Sequence, residues 1–141
     1  MVKQGILHTC KLLLGTLLIL CVSCQKAPIN GHLDGRWQIL EIEIDKELSN
    51  VKDQQLYYNF YLHVCNLSSY GEQYEFAEAN LHYEDDIIYL DFPYVDTLDQ
   101  TEYLQQFGIY SNPVVFEVEY IDKKKLIIKE GDNIIITLRK F

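Results

Sequence analysis

The chain has 141 residues, of which 48% are hydrophobic, and its formal net charge at pH 7 is −9. So acidic a chain repels a polynucleotide, and we therefore expect no nucleic-acid partner. The length suits one compact domain with its own hydrophobic core and is too short for two.

An apolar stretch near the N-terminus predicts a secretion signal. Residues 12–22 are mostly apolar and follow a lysine, but a membrane-spanning helix needs about 20 such residues. The run ends in CVSC (residues 21–24), and a small residue before a cysteine is typical of the site where bacterial lipoproteins are cleaved and acylated. We therefore expect residues 1–23 to be a lipoprotein signal peptide and Cys24 to carry a diacylglycerol. The alternatives are cleavage before Cys21, which the bulky Leu20 disfavours, and an ordinary signal peptide or an uncleaved anchor.

Cleavage before Cys24 would leave 118 residues with a net charge of −11, because the removed segment carries two lysines and no acid. No Lys or Arg occurs between Asp53 and Asp122, against 14 Asp and Glu. We interpret this acidity as a well-hydrated exterior. A cationic partner or Ca²⁺ is the alternative, although the chain has no Asp-x-Asp-x-Asp-Gly loop. Cys65 would be the one unmodified thiol left, which excludes an intramolecular disulfide and predicts a small buried residue.

Strand patterns begin after a short polar segment. Residues 24–34 are interpreted as the lipidated cysteine and its tether, and residues 35–141 as the folded domain. In residues 36–47, Leu40, Ile42 and Ile44 share one predicted face and acidic residues share the other. Residues 54–67 alternate without a break and are apolar or aromatic on both faces, so we expect one central strand there.

The second half of the chain predicts short strands around one helix. The acidic residues 84–86 would turn a hairpin that Pro93 ends, and Thr97 and Gln100 fit a capping box for a helix that Gly108 ends. The predicted elements are a hairpin over residues 73–83 and 87–92, a helix over 98–107, and hairpin-linked strands over 114–121, 126–129 and 134–141.

Seven or eight strands with short connections and one short helix predict an all-β fold, a small antiparallel β-barrel. An immunoglobulin-like sandwich is the alternative, but it needs longer crossovers than the last three strands allow. A closed barrel also removes the sheet edges that would favour aggregation in a chain with 11 tyrosines.

The start of the first strand resembles a known signature. Gly35-Arg36-Trp37 is similar to the Gly-x-Trp motif of lipocalins and their calycin relatives. In that architecture the tryptophan plugs the closed end of the barrel, and an arginine of the last strand lies across its indole. The resemblance implies that Arg139 takes this place, where a cation over an aromatic face would contribute about 0.5–2 kcal/mol.

The chain also resembles a group of small lipocalin-like lipoproteins of Bacteroides-type Gram-negative bacteria. Shared features are the lipoprotein cleavage site, the Gly-x-Trp strand, Tyr58-Asn59-Phe60 and an ending close to LRKF (residues 138–141). The likeness covers roughly residues 33–141 and implies a fold and a cellular address, since the activity of that group is uncharacterised. Unlike ordinary lipocalins, the chain is short and its predicted helix lies between strands. A barrel so small can be filled by its own side chains.

Candidate site residues follow from this barrel. We expect the interior to include Tyr58, Phe60, Leu62, Phe76 and Phe116, either as the lining of an apolar pocket or as plain core. His63, Cys65 and His82 do not form a close-spaced ligand set, so no metal site is expected. No catalytic or phosphate-binding motif occurs, so we expect neither an enzyme nor a cofactor.

Two functions remain open. The first is a lipid-anchored envelope protein that holds a small apolar or amphipathic ligand, entering opposite Trp37 and Arg139. The second is a filled barrel that acts as a protein-interaction or accessory subunit of an envelope complex, with protein partners unknown. Residues 25–27 lack the acidic run that resembles a surface-export signal in these bacteria. We therefore expect the periplasmic face of the outer membrane rather than the cell surface.

Overall fold

The computed structural model describes residues 28–70, 74–95 and 98–141, without the side chains of residues 74–76, 98 and 99. These residues form nine strands, one α-helix and two single-turn 3₁₀ helices, Gly31–Leu33 and Lys52–Gln54. The strands and the α-helix are β1 (Gly35–Ile44), β2 (Glu47–Asn50), β3 (Leu56–Tyr61), β4 (Val64–Tyr70), β5 (Tyr74–Glu84), β6 (Ile87–Asp91), α1 (Leu98–Gln105), β7 (Val114–Ile121), β8 (Lys125–Glu130) and β9 (Ile134–Lys140).

The strands form a closed antiparallel barrel, as the sequence predicts. Seven strands from β3 to β9 follow one another in order, and β1 pairs with both β3 and β9 to close an eight-strand ring. Along one edge of β1, residues 35–38 pair with β3 and residues 41–44 pair with β2, which is therefore an extra strand beside the ring. The other edge of β1 pairs with β9 from Trp37 to Ile44.

The prediction of one central strand over residues 54–67 is wrong. The segment forms β3 and β4, a hairpin whose turn contains Leu62 and His63. Leu62 has a φ of 54°, a left-handed conformation that glycine or asparagine usually takes, so the residue types gave no sign of a turn. Its side chain is 42% exposed, which also corrects the prediction that Leu62 lines the barrel interior. His63 lies in the turn and therefore shares no strand face with Cys65.

The faces of β1 differ from the predicted pattern because of a β-bulge. The register with β9 shifts between Ile39 and Glu41, which leaves Leu40 as the extra residue. Trp37 and Ile39 are therefore buried on the same side as Ile42, and Leu40 does not share the face predicted for it. Strand β2 has only exposed residues, so its sequence carries no alternation from which to predict it.

Residues 28–34 lie against one end of the barrel instead of forming a free tether. Leu33 is completely buried, and its carbonyl accepts a hydrogen bond from Trp37 Nε1 at 2.8 Å. Asn30 Nδ2 donates to the carbonyl of Leu62, 2.8 Å away. Residues 30–34 are therefore packed and hydrogen-bonded to the barrel. We call this end of the barrel, where Trp37 lies, the floor.

The opposite end, which we call the mouth, is covered by the connection from β6 to β7. This connection contains α1, and its own residues Leu104, Phe107 and Ile109 are buried. Gly108 has a φ of 77°, consistent with the predicted helix end, while Thr97 of the predicted capping box lies outside the described residues. The predicted hairpin over residues 73–92 and the last three strands are confirmed. No helix in the described part of the chain is long and apolar enough to cross a membrane.

The reactivity of the Cys65 thiol reports on the packing of this barrel. Cys65 is fully buried on β4, and burial raises the pKa of its thiol, so both access and thiolate formation are suppressed in the folded state. We expect a maleimide to modify Cys65 no faster than the barrel unfolds, and rapidly in denaturant. Mass spectrometry of the labelled chain measures this, and rapid labelling under native conditions would contradict the closed barrel.

Candidate functional site: the barrel floor and the filled interior

The floor is built around Trp37, which has no exposed surface. Lys140, its partner in the β1–β9 ladder, places its Nζ 4.4 Å from the centre of the Trp37 ring. The same ammonium donates to the carbonyls of His32, at 3.1 Å, and Asp34. Burial lowers the pKa of Lys140, while the negative charge of Asp34 opposes that shift. A single cation therefore connects the last strand to the first strand and to the segment that precedes it.

Gly35 leaves the space that this lysine needs. A Cβ at position 35 would lie 2.8 Å from both Cε and Nζ of Lys140, closer than real contacts allow. The φ of Gly35 is 124°, which side-chain-bearing residues rarely adopt. The spacing of the Gly-x-Trp signature thus has a direct cause: the glycine admits the cation, and the tryptophan two residues later lies beneath it.

Arg139 does not take the place expected of it. Neighbouring residues of a strand point to opposite faces, so Arg139 lies on the outer side while Lys140 points into the floor. Its Nε and Nη2 both donate to Gln38 Oε1, at 3.0 and 2.7 Å. Gln38 Nε2 in turn donates to the carbonyl of Lys52. The predicted Arg139–Trp37 contact is therefore wrong, and Arg139 fastens the outside of the same two strands.

Above the floor the barrel interior holds an aromatic cluster of Tyr58, Phe60, Phe107 and Phe116. Each is at most 1% exposed, and the ring of Tyr58 lies 5.7 to 6.5 Å from the other three. Three members come from strands, whereas Phe107 comes from the connection that covers the mouth. The hydroxyl of Tyr58 donates to the carbonyl of Phe107 at 2.8 Å. Within the described residues, the chain thus fills its own barrel.

Charges near this cluster influence Tyr58. Burial raises the pKa of Tyr58 well above its usual value, and the nearby Cys65 and Glu130 raise it further, so the phenol stays a neutral donor. Glu130, the last residue of β8, accepts a hydrogen bond from Ser111 at one oxygen, 2.8 Å away. Its Oε2 is buried and has no hydrogen-bond partner among the described residues. The mouth therefore combines an aromatic interior with a carboxylate at its rim.

The connection over the mouth is fastened at its base. The side chain of Asn112 accepts from the backbone N–H of Phe92 and donates to the carbonyl of the same residue, both at 2.9 Å. This pair joins the two ends of the connection next to β6 and β7. The tip that carries Phe107 is held by the hydrogen bond from Tyr58 and by packing, as in the edge-to-face contact between Tyr103 and Phe107 at 5.2 Å.

Comparison with known proteins agrees with this geometry. A family model described as a lipocalin-like domain matches residues 18–141, which is most of the chain. The chain belongs to the lipocalin-like domain family. No curated protein matches it.

Two solved structures show the fold of this lipocalin-like chain. A crystal structure of a lipocalin-like protein from Bacteroides uniformis has 19% sequence identity and a TM-score of 0.67, covering 79% of this chain and all of its own. A crystal structure of an uncharacterized protein from Bacteroides eggerthii has 18% identity and a TM-score of 0.63, covering 77% of this chain and 98% of its own. At these identities the likeness shows the fold alone.

The predicted pocket residues are only partly brought together. Tyr58, Phe60 and Phe116 meet inside the barrel, while Leu62 lies in the β3–β4 turn at the floor. Phe76 pairs with Ser68 in the β4–β5 ladder, and its side chain lies outside the described residues. Sequence reasoning missed Phe107. Its position just before Gly108, where a helix ends and the chain turns back, was the available signal.

The residues considered for a metal site are dispersed. Cys65 is buried in the core, and His82 is exposed on β5 beside Glu84, 3.3 Å away. Across residues 28–70, 74–95 and 98–141, no three His, Cys, Asp or Glu side chains are placed to hold a metal ion.

We expect the floor contact to appear as energetic coupling between Trp37 and Lys140. In a double-mutant cycle of Trp37→Phe and Lys140→Met, the coupling free energy of unfolding should be about 1 kcal/mol, because the cation is attracted to the indole face. Denaturant unfolding of the four proteins measures it. The same cycle with Arg139→Met is the control and should give coupling near zero. Stronger coupling for Arg139 than for Lys140 would contradict this account of the floor.

Proposed function

We propose that this lipocalin-like chain is a lipid-anchored protein of the cell envelope that binds a small, neutral amphipathic molecule inside its barrel. The anchor would be a diacylglycerol on Cys24, at the periplasmic face of the outer membrane. The apolar run over residues 12–22 and the CVSC sequence support the anchor, and the lack of an acidic run after Cys24 supports the location.

The observation that carries ligand binding is the position of Phe107. An apolar side chain from a connection, not from the barrel wall, occupies the interior, and its carbonyl accepts the one hydrogen bond that the Tyr58 hydroxyl donates. A ligand with an apolar body and one acceptor oxygen would reproduce both contacts when Phe107 moves out. The two hydrogen bonds between the Asn112 side chain and the Phe92 backbone would hold the base of the connection during that movement.

Charge narrows the class of ligand. Glu130 lies close enough to Tyr58 to raise the pKa of the phenol, so an anionic head group at the same place would be repelled by the same carboxylate. Tyr58 also remains protonated and offers a donor to an oxygen acceptor. We therefore propose an alcohol, ketone or ester with an apolar body in preference to a fatty-acid anion.

The filled interior favours a second candidate, an accessory or interaction subunit that binds no small molecule. In that case the aromatic cluster is core only, and partners would meet the outer surface. Exposed apolar side chains there include Tyr89 and Val115, which are directly opposite each other on β6 and β7. Ligand binding and its dependence on Phe107 distinguish the two candidates.

Lipidation should depend on one cysteine. In a bacterial host that processes lipoproteins, the wild-type chain should take up labelled palmitate and lose residues 1–23, whereas Cys24→Ser should do neither, because no thiol remains at the cleavage site. Cys21→Leu is the matched control, because it removes the other thiol and keeps position 21 apolar, and it should be processed like the wild type. Intact-mass measurement reads both outcomes, and an unmodified Cys24 in the mature protein would contradict the anchor.

Removal of Phe107 should open the barrel. We expect Phe107→Ala to lower the free energy of unfolding by about 3–5 kcal/mol and to bind N-phenyl-1-naphthylamine more tightly than the wild type, because a cavity beside Tyr58 replaces the ring. Probe fluorescence and denaturant unfolding measure the two effects. Phe92→Ala is the control, since Phe92 is equally buried but lies outside the aromatic cluster.

Competition then tests the ligand class. Dodecanol should displace the probe from Phe107→Ala more strongly than dodecanoate does, and Tyr58→Phe in that background should weaken the alcohol most. Equal probe binding by Phe107→Ala and Phe92→Ala would contradict the proposed site. It would favour the interaction subunit instead.

A further inference from the structure

The chain enters the fold at the floor, and this position limits how a lipid anchor could hold it. Asn30 is bonded to the β3–β4 turn, and Lys140 to the carbonyls of His32 and Asp34, so residues 30–34 are fixed under the barrel. Gly31 donates to the carbonyl of Pro28, which extends the ordered path to residue 28. Only four peptide units separate Cys24 from Pro28, and fully extended they span at most about 14 Å.

Apolar side chains are exposed around this entry point. Ile29, Tyr61 and Leu62, which we call the floor patch, are 54%, 69% and 42% exposed. The Asn30–Leu62 hydrogen bond places the residue after Ile29 against the turn that follows Tyr61, so all three lie at the floor end. Tyrosine and aliphatic side chains of this kind suit the boundary between lipid head groups and acyl chains, where one end of a ring is wet and the other is apolar.

The cations of the acidic chain are concentrated at the same end. Lys123 and Lys124 lie in the β7–β8 turn and Lys125 begins β8; we call these three residues the lysine turn. The backbone N–H of Lys140 donates to the carbonyl of Lys124, so the lysine turn adjoins the floor. Asp122 in this turn already accepts from the backbone N–H groups of Lys124 and Lys125 and from the hydroxyl of Tyr120. These three bonds, with a smaller contribution from His32, lower the pKa of Asp122 to about 2.

Acids of the span without Lys or Arg also reach the floor end. Among the described residues, Glu84, Asp85 and Asp86 lie at the β5–β6 turn, and Glu119 and Asp122 lie at the end of β7. The β5–β6 turn adjoins β7, because the backbone N–H of Val118 donates to the carbonyl of Asp86. The floor end is therefore apolar where the chain enters and carries both lysines and acids at the turns on either side of β7.

We infer that the floor patch and the lysine turn rest on the phospholipid head groups of the bilayer that holds the acyl chains of Cys24, with the mouth directed away from it. This inference rests on the proposed lipid anchor. Its consequence is that the ligand reaches the mouth from the aqueous side and not by sliding out of the anchoring bilayer.

Two single-cysteine labels test this orientation. The acylated protein is purified as His63→Cys and as Asp132→Cys, which place a thiol in exposed turns at the floor and at the mouth. The protein used is the processed, acylated form, which has lost residues 1–23 and with them Cys10 and Cys21. Each variant is labelled with a nitrobenzoxadiazole dye, and buried Cys65 should not react. The proteins are reconstituted in vesicles of phosphatidylethanolamine and phosphatidylglycerol with a nitroxide-head-group phospholipid. The seven residues of β9 separate the two ends by about 20 Å.

The expected result is quenching several-fold stronger at position 63 than at position 132. Tyr61→Ser combined with Leu62→Ser should reduce the difference, whereas Tyr94→Ser combined with Tyr110→Ser, which removes exposed tyrosines near the mouth, should leave it unchanged. Equal quenching at the two positions, or stronger quenching at position 132, would overturn the orientation while leaving the anchor intact. A purified protein whose intact mass lacks the acyl groups would overturn both the anchor and the orientation.

Discussion

The contact of Lys140 with Trp37 holds together parts of the chain that are far apart in sequence. It brings the last strand over the first and ties both to the segment before β1 through the carbonyls of His32 and Asp34. The β1–β9 ladder closes the barrel, and an open barrel would expose two strand edges. Gly35 leaves room for this contact, because a Cβ at position 35 would overlap the end of the Lys140 side chain. The β1–β9 ladder thus makes the closure, and the cation that Gly35 admits reinforces it at the floor.

The outer side of the same strands is reinforced separately. Arg36 lies 4.0 Å from the ring centre of Tyr57 and 5.0 Å from those of Tyr70 and Phe141, and the backbone N–H of Phe141 donates to the carbonyl of Arg36. Tyr57 is buried although it faces outward, because the guanidinium and its neighbours cover it. Arg36 and Lys140 therefore fasten β1 to the end of the chain from opposite faces, and each cation lies against an aromatic ring.

Sequence reasoning identified the fold because closure depends on local patterns: alternation, hairpin turns and Gly-x-Trp. It failed where the answer depends on strand register or on unusual backbone. Choosing Lys140 over Arg139 requires knowing which of two adjacent residues pairs with Trp37. Leu62 adopts a left-handed conformation without the glycine that would announce a turn, and the bulge at Leu40 changes the face of every residue before it. Phe107 was missed as a site residue for a different reason: helical periodicity gives it an apolar face shared with Leu104, but no pattern shows that this face enters the barrel.

The two ends of the barrel differ physically, and this difference bears on function. The floor is held by hydrogen bonds from Lys140, Trp37 and Asn30 to backbone carbonyls, so opening it would leave several polar groups unpaired. At the mouth, the Phe107 ring is held by packing, and its carbonyl accepts a phenolic hydrogen bond from Tyr58 that an acceptor oxygen of a ligand could take over. Side-chain bonds such as Ser111–Glu130 hold other parts of the same connection. A ligand of the proposed kind would therefore enter at the mouth, while the floor stays closed. An anchor at the floor end would leave the mouth exposed to the aqueous side. The proposed membrane orientation and the proposed route of ligand entry therefore both require the floor to face the bilayer and the mouth to face away from it.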